Sequence, residues 1–145
     1  MIRKATVSDA AIAARLAANM WGAHDIHELT EEFAALLARD DAVVFLYSAE
    51  NTAVGFAQCQ LRRDYVEGTS TSPVGYLEGV YMDRAFRGRG YAKQLVAACE
   101  QWAKEKGCTE FASDCELSNT DSLKFHLKTG FTEANRIICF TKKLA

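Results

Sequence analysis

The sequence predicts one α/β domain that spans residues 1–145. Its length suffices for a single hydrophobic core, and no low-complexity linker divides it. Apolar residues follow the period of strands in some segments and that of helices in others, in the order β-α-α-β-β-β-α-β-α-β-β. The run of strands indicates an antiparallel meander, and the strand–helix–strand unit after it indicates a parallel crossover.

The first half of the chain predicts three strands and two helices. Strands are expected at residues 2–6, 42–47 and 53–62, and helices at 9–20 and 26–38. Ser8 is placed to cap the first helix, because its hydroxyl can accept a hydrogen bond from a free N–H group of the first turn. The polar residues Glu50, Asn51 and Thr52 predict a hairpin turn between the second and third strands.

The second half predicts the rest of the sheet. Strands are expected at 74–82, at 109–114 and as a closing pair within 131–143, and helices at 91–106 and 119–128. Residues 64–73 are polar and contain the only proline, which indicates a loop. Gly107 and Gly130 follow the two helices as C-caps. The central sheet is therefore expected to be mixed, with about seven strands and about four flanking helices.

Composition and charge argue against several classes of protein. The net charge is −2 and the pI about 5.9, so no bulk positive charge favours nucleic acid or an anionic membrane as a partner. No apolar run is long enough to cross a bilayer, and the first residues lack the apolar core of a signal peptide. The five cysteines are scattered, without a Cys-x-x-Cys pair, which argues against a zinc site or a disulfide framework. We therefore expect a cytoplasmic protein that binds no metal.

Residues 77–95 combine a strand, a basic glycine-rich loop and the start of a helix. Glycines let backbone N–H groups point at a phosphate, and the helix N-terminus adds partial positive charge. Arg87 and Arg89 add full charges, and a guanidinium matches phosphate geometry. The glycine spacing fits neither the dinucleotide-binding pattern nor the P-loop. The alternative interpretation is a basic turn that caps a helix.

This loop resembles the Arg/Gln-x-x-Gly-x-Gly/Ala signature of the GNAT acetyltransferases in the residues Arg87, Gly88, Arg89, Gly90, Tyr91 and Ala92. In that family the segment wraps the pyrophosphate of acetyl-coenzyme A (acetyl-CoA), so the resemblance implies that these residues bind this acetyl donor. It also implies the GNAT fold, in which the fourth and fifth strands splay apart and admit the pantetheine arm. Backbone groups of Val80, Tyr81 and Met82 are then expected to pair with the pantetheine amides, and an N–H group there to polarise the thioester carbonyl.

Residues 119–131 resemble a second GNAT motif, Asn-x-x-(Ala/Ser)-x-x-Phe-Tyr-x-x-x-Gly-Phe. The resemblance implies that the Asn119 side chain contacts the cofactor. His126 stands where the family has a tyrosine that can protonate the departing thiolate. An imidazolium can supply that proton, since its ordinary pKa is about 6.5. Two alternatives stay open: His126 merely fills a helix face, or the thiolate leaves without a proton donor.

Motifs over almost the whole chain resemble the aminoglycoside 6′-N-acetyltransferases. They lie at residues 21–25, 64–68, 72–73, 77–80, 107–108, 112–114 and 119–120. The resemblance implies acetyl transfer to the 6′-amine of a polycationic drug by direct attack in a ternary complex. It also implies that Trp21, His24 and Tyr65 face the substrate, where their rings can lie against sugars; the alternative for Trp21 is a core position. Asn135 departs from this group, in which the comparable position is often acidic.

Glu78 and Asp114 fall on the two strands that the predicted crossover joins, close to the glycine-rich loop. An amine acceptor needs a carboxylate to bind its ammonium group or to take its proton. The two roles oppose one another, because a nearby carboxylate raises the pKa of the ammonium. The resemblance implies that Glu78 is the base and Asp114 the anchor. The alternative for each is a local ion pair at a strand end.

The mechanism and the function each leave an alternative open. Cys115 beside Asp114 allows a rival mechanism through an acetyl-cysteine intermediate, although no histidine is adjacent to activate its thiol. Rival functions are acetyl transfer to a polyamine or a peptide N-terminus, and a non-catalytic sensor of acyl-CoA.

The closing strands contain Ile137, Ile138 and Phe140 and are too apolar for a free sheet edge, which predicts a homodimer.

Overall fold

The computed structural model describes residues 1–22 and 25–145. The strands are β1 (Ile2–Lys4), β2 (Ala42–Ala49), β3 (Thr52–Arg62), β4 (Val74–Met82) and β5 (Phe111–Ser113). The helices are α1 (Ala10–Trp21), α2 (Ile26–Leu37), α3 (Tyr91–Glu105) and α4 (Thr120–Lys128), with short 3-10 turns at Val7–Asp9 and Arg84–Phe86. None of the described helices is both long and apolar enough to span a membrane.

The sheet is mixed, as the sequence predicts. Its spatial order is β1-β2-β3-β4-β5, so neighbours in the chain are also neighbours in the sheet. The first four strands pair antiparallel, and β5 pairs parallel to β4 after the crossover through α3. The hairpin between β2 and β3 turns at Glu50 and Asn51, both with positive φ.

β4 and β5 pair along only part of β4. The register joins Gly75 to Phe111, Tyr76 to Ala112 and Leu77 to Ser113, and β5 ends there. β4 continues to Met82, hydrogen-bonded to β3 on its other side. Within the described chain, its last five residues therefore have no strand partner on the β5 side, which is the splay that the family resemblance implies.

Helices cover both faces of the sheet. On one face α3 packs against the central strands with its apolar stripe, which consists of Leu95, Val96, Cys99, Trp102 and Ala103. On the other face α1 and α2 pack around the fully buried Phe56. Adjacent residues of β3 serve both layers, since Phe56 belongs to one cluster and Ala57 to the other.

The start of α1 differs from the prediction. Ser8 lies inside the 3-10 turn and is not the N-cap, because α1 begins only at Ala10. Asp9 takes over the local hydrogen bonding: its carboxylate accepts from the Thr6 N–H at 2.8 Å and from both terminal nitrogens of Arg3 at 2.8 Å. A carboxylate that is nine-tenths buried accepts these bonds better than a hydroxyl, because it can hold a cation as well.

The predicted pair of closing strands is wrong for this structure. Residues 131–145, which we call the tail, form no strand, so the sheet has five strands instead of about seven. Ile137, Ile138, Phe140 and Leu144 are between 69% and 87% exposed. The residue types favour strands, but a strand needs a hydrogen-bonding neighbour, and among residues 1–22 and 25–145 the tail has none.

Candidate active site

The glycine-rich loop links the end of β4 to α3. Gly88 and Gly90 have φ of 78° and 81°, a conformation that side chains with a Cβ rarely adopt. A Cβ built at either position meets nothing within 4 Å, so the space beside both residues is open. The loop therefore needs glycine for its backbone conformation, and it leaves room for a ligand to approach closely.

The arginines of this loop are partly held by the strand end. Arg87 donates from Nε to the Met82 carbonyl at 2.7 Å, and its guanidinium lies 5.6 Å from the centre of the Tyr81 ring. The Arg89 guanidinium lies 5.4 Å from the ring of Phe86. Both arginines are exposed, and their outer N–H groups remain available to an anion.

The first turn of α3 provides further groups that suit an anion. Gly90 is the N-cap and has no side chain, so it caps none of the free N–H groups of that turn. These groups and the helix dipole favour negative charge. The Tyr91 ring stacks on Tyr47 at 4.2 Å, so residue 91 offers the ligand its backbone rather than its ring. The residues present fit a pyrophosphate group.

Asn119 directly precedes α4, the helix that follows β5. Its Oδ1 accepts a hydrogen bond from the Ser122 N–H at 3.1 Å, which makes it the N-cap of α4. Its side-chain amide N–H groups remain as donors, so the cap orients Asn119 without using the group that a cofactor would need.

Glu78 forms a bidentate ion pair with Arg62, a residue that the sequence reasoning missed. Arg62 donates from Nε to Oε2 at 3.0 Å and from Nη2 to Oε1 at 2.8 Å. The Arg62 side chain is 39% exposed and the Glu78 side chain is 18% exposed. The hydrogen bond to Glu78 raises the pKa of Arg62. For Glu78, the local ion pair that we considered from sequence is therefore present.

Asp114 is linked to this pair through Tyr76. The Arg62 guanidinium lies 3.5 Å above the centre of the Tyr76 ring, and the Tyr76 hydroxyl donates to Asp114 Oδ2 at 2.5 Å. Burial and the hydrogen bond to Asp114 raise the pKa of Tyr76, so the ring stays neutral and keeps its proton as the donor. We call Arg62, Tyr76, Glu78 and Asp114 the charged cluster.

A cleft of about 1050 Å³ adjoins the charged cluster. It lies between β5, α4, the loop at 64–73 and the tail, and its lining includes Arg62, Tyr76, Asp114 and His126. Arg62 lines the cleft and joins Glu78 to it. Asp114 therefore lines the cleft directly, whereas Glu78 is joined to it only through Arg62. The volume of the cleft lies at the upper end of the range of small-molecule sites.

His126 reaches the same cleft from α4. Its Nδ1 lies 2.7 Å from the Ser122 carbonyl oxygen, which can only accept, so Nδ1 carries a proton. Its Nε2 lies 2.8 Å from the Ser113 hydroxyl, which is also 3.1 Å from the Leu77 carbonyl oxygen. Ser113 has one proton for these two neighbours. The hydroxyl donates to the Leu77 carbonyl oxygen and lies within hydrogen-bond distance of His126, so it links β5 both to β4 and to α4.

The substrate-facing residues implied by the resemblance lie at different places. Trp21 is 43% exposed, and its ring packs edge-to-face against that of Phe56, with 6.3 Å between the ring centres. A Cβ built at Gly79 would lie 3.3 Å from the Trp21 ring, so the indole covers β4 beside Glu78. Tyr65 is 76% exposed on the loop, and its hydroxyl donates to Glu67 at 3.3 Å. His24 lies outside the described residues.

Other expectations concern the cysteines and metals. Cys59, Cys99 and Cys108 are buried, whereas Cys115 and Cys139 are exposed. Within the described part of the chain, no group of three or more His, Cys, Asp or Glu side chains is arranged to hold a metal ion.

Sequence reasoning missed Arg62, Tyr76 and Ser113. Tyr76 was detectable, because it lies two residues before Glu78 and so shares its face of the strand. Arg62 was not, because its contact with Glu78 depends on the register that pairs Arg62 with Val74. Ser113 precedes Asp114 and ends β5, a position that suggests a site only when the splay is known.

The comparisons with known proteins agree on the family. The profile described as the acetyltransferase (GNAT) family matches residues 11–131. The chain is 40% identical to an aminoglycoside N(6′)-acetyltransferase type 1 of Stenotrophomonas maltophilia, over 99% of this chain and 93% of that protein. It is also 40% identical to the enzyme of the same name from Salmonella typhimurium, over 86% of each chain.

Solved structures give the same result. AAC(6′)-Iy in complex with the bisubstrate analogue CoA-S-monomethyl-acetylneamine superposes with a TM-score of 0.94 at 37% identity, covering 99% of this chain and 98% of that one. AAC(6′)-Ih from Acinetobacter baumannii superposes with a TM-score of 0.91 at 34% identity, covering 100% and 99%. The chain therefore belongs to the acetyltransferase (GNAT) family, within the group of the aminoglycoside 6′-N-acetyltransferases.

Proposed function

We propose that this protein transfers the acetyl group of acetyl-CoA to the 6′-amino group of aminoglycosides. One set of observations carries the proposal: β4 runs five residues past its pairing with β5, the glycine-rich loop leaves open space, and Asp114 lines a cleft to which Arg62 joins Glu78. The first two features suit an acyl-CoA, and the third suits a cationic amine. The relatives at 40% identity bear the name of this activity, which supports the same assignment.

The acetyl donor supplies an activated thioester when it is bound. Backbone N–H groups of residues 87–92, with the outer N–H groups of Arg87 and Arg89, hold its pyrophosphate. The free edge at Val80–Met82 pairs with its pantetheine arm as an added strand would, and an N–H group there stabilises the oxyanion. The Asn119 amide contacts the donor from the other side of the splay.

On the acceptor side, the two carboxylates divide the work. Asp114 anchors the substrate ammonium, with its orientation fixed by the Tyr76 hydroxyl. Glu78 takes the proton through water, since the Arg62 guanidinium covers one side of both its oxygens and leaves their other lone pairs free. The neutral amine then forms the C–N bond directly while the C–S bond breaks, without a role for Cys115. Trp21 and Tyr65 pack against the sugar rings.

His126 is the proton donor to the leaving thiolate in this proposal. Its proton would pass through the Ser113 hydroxyl, which bridges Nε2 to the open end of the β4–β5 pair. His126→Gln should then remove the alkaline limb from the pH dependence of kcat. An unchanged alkaline limb in this variant means that the thiolate leaves without His126.

Acetylation of the amine removes one positive charge from the drug. Binding of a polycation to RNA depends on such charges, so the product binds its RNA target less tightly. The proposed activity therefore confers resistance to the antibiotic.

Steady-state turnover with acetyl-CoA and kanamycin or tobramycin tests this function, with product mass as confirmation. Polyamine and peptide acceptors, run in parallel, separate the drug from other amines. Acetyl-CoA binding by calorimetry identifies a sensor, which would bind tightly and transfer to none of these amines. Absence of drug acetylation with intact acetyl-CoA binding overturns the proposal.

We also propose a cytoplasmic homodimer that covers the tail. The tail exposes Ile137, Ile138 and Phe140, and the outer edge of β5 has no strand neighbour in the described chain. A second copy offers both features at once, so each tail can pair with the partner and bury its apolar side chains. Light scattering should give twice the chain mass of 16.0 kDa. Ile138→Lys with Phe140→Lys should give monomers, and a dimer in that variant contradicts this interface.

A further inference from the structure

Arg62 is unexpected in an acceptor site for polycations. Negative charge attracts such substrates, yet the charged cluster places a guanidinium at the cleft wall. It donates two hydrogen bonds to Glu78, at 3.0 and 2.8 Å, and its guanidinium packs on the Tyr76 ring. An arginine with this many contacts keeps one position and stays charged at every working pH.

Tyr76 keeps this cation away from Asp114. Its ring face contacts the guanidinium while its hydroxyl, at the opposite end of the side chain, donates to Asp114 Oδ2. No ion pair joins Arg62 to Asp114 in the described residues, although each lies within the field of the other. Arg62 therefore neutralises Glu78 alone, and the cluster as a whole carries one net negative charge.

The net charge of the cluster matters because the acceptor must change its own charge. An alkylammonium binds as a cation, but only the neutral amine has a lone pair for attack. Each uncompensated carboxylate nearby raises the pKa of the amine, and each nearby cation lowers it. Two free carboxylates would bind the ammonium more tightly and make its deprotonation harder.

We propose that Arg62 is a specificity-determining residue of the acetyl transfer, which by neutralising Glu78 lets Asp114 bind the acceptor ammonium without trapping it in the protonated form. The inference rests on the proposed function and deepens it. Arg62 acts through Glu78 and is in this sense a positioning residue.

Other charges around the cleft are unchanged by a substitution at 62. They come from α3, the loop at 64–73, the residues before and after β5, α4 and the tail, namely Glu67, Glu100, Glu110, Glu116, His126, Glu133 and Arg136. Arg136 is paired with Glu133, and Glu110 accepts hydrogen bonds from the backbone of Ser70 and Thr71. All of them are the same in the wild type and in a variant at residue 62, so a difference between the two pH profiles reports the Arg62 charge.

Arg62→Gln tests the inference by its effect on the pH dependence of kcat, which reports groups in the enzyme–substrate complex. We expect the acid limb of this profile, where kcat falls as the pH is lowered, to shift to a higher pH by about one unit. One nearby charge produces a shift of this size. Arg62→Lys keeps the charge and should leave the limb in place. Arg39→Gln, which removes a guanidinium from an exposed pair with Asp41, is the matched control and should also leave it in place.

A purely structural role for Arg62 gives another result. It predicts a lower kcat and a higher KM in Arg62→Gln, with the acid limb unmoved, and this outcome overturns the inference. The double variant Arg62→Gln with Glu78→Gln restores one net negative charge to the cluster. Its acid limb should return to the wild-type position, even though its kcat is lower.

Calorimetry of tobramycin binding gives a second readout that needs no turnover. Arg62→Gln should bind the drug about tenfold more tightly than the wild type, because one more carboxylate faces the ammonium. Equal or weaker binding in a variant that melts at the wild-type temperature overturns the inference. Lack of turnover by the wild type, together with tighter binding by Arg62→Gln, instead overturns the proposed function alone.

Discussion

The Tyr76 hydroxyl donates a 2.5 Å hydrogen bond to Asp114, across the last pairs of the parallel β4–β5 ladder. Asp114 itself is exposed beyond the end of β5, whereas Tyr76 is only 6% exposed. The buried Tyr76 thus orients the exposed Asp114 side chain, which lines the cleft. This relationship gives the first prediction.

Tyr76→Phe should raise KM for the aminoglycoside about tenfold, because a hydrogen bond to a charged group contributes about 1.5–3 kcal/mol and part of it returns through water. The phenyl ring keeps its place under Arg62, so KM for acetyl-CoA should stay the same. Initial rates with each substrate varied in turn measure both values. Equal aminoglycoside KM in the variant and the wild type would show that Tyr76 does not orient Asp114.

Asp114→Asn should reduce kcat/KM for the drug by at least about 100-fold, since an amide cannot compensate an ammonium as a carboxylate does. Asp83→Asn is a suitable control, because it changes the same group near the glycine-rich loop and outside the cleft lining. Acetyl-CoA affinity by calorimetry should match the wild type in both variants. A wild-type rate for Asp114→Asn removes this residue from the acceptor site.

Gly90→Ala should raise KM for acetyl-CoA while the protein stays folded. The residue has φ of 81°, and a Cβ there costs about 1–2 kcal/mol and stands in the open space that faces the ligand. Gly107→Ala is matched in strain, with φ of 90° and open space, but lies at the other end of α3. Both variants should lose similar stability to urea. A similar rise in KM for Gly107→Ala would contradict a special role of the loop.

Asp9 should make the protein sensitive to acid. The hydrogen bonds from Arg3 lower the pKa of Asp9 below its ordinary value of 3.8. A lowered folded pKa stabilises the fold above pH 3.8, and this stabilisation is lost as the pH falls from there toward the folded pKa. Asp9→Asn should therefore cost about 1.5–3 kcal/mol at pH 7 and flatten the dependence below pH 4.

Urea unfolding at pH 7 and pH 3.5 measures the Asp9 effect. Asp41→Asn breaks the more exposed pair with Arg39 and should change stability by less than about 1 kcal/mol. Equal losses of unfolding free energy in the two variants would mean that burial of Asp9 adds nothing to the stabilisation by its ion pair with Arg3.

Much of the fold was predictable because it depends on neighbours in the chain. The bounds of β4 and the first residue of α3 match the prediction, since apolar periodicity and the two glycines of the loop are local signals. The tail was not predictable, although its residues favour strands as well as those of β2 do. Whether such a segment becomes a strand depends on a partner edge, which sequence periodicity does not describe.

By itself, the sequence determined the order of strands and helices up to α4, the left-handed glycines before α3, and the residue types that an acyl-CoA and a cationic amine require. Only the tertiary structure decided which charges meet. The β3–β4 register brings Arg62 onto Glu78, and the short β5 places Asp114 on the Tyr76 hydroxyl. Residues 16 and 38 positions apart become partners through sheet pairing, and contacts at such separations leave no periodic signal in the chain.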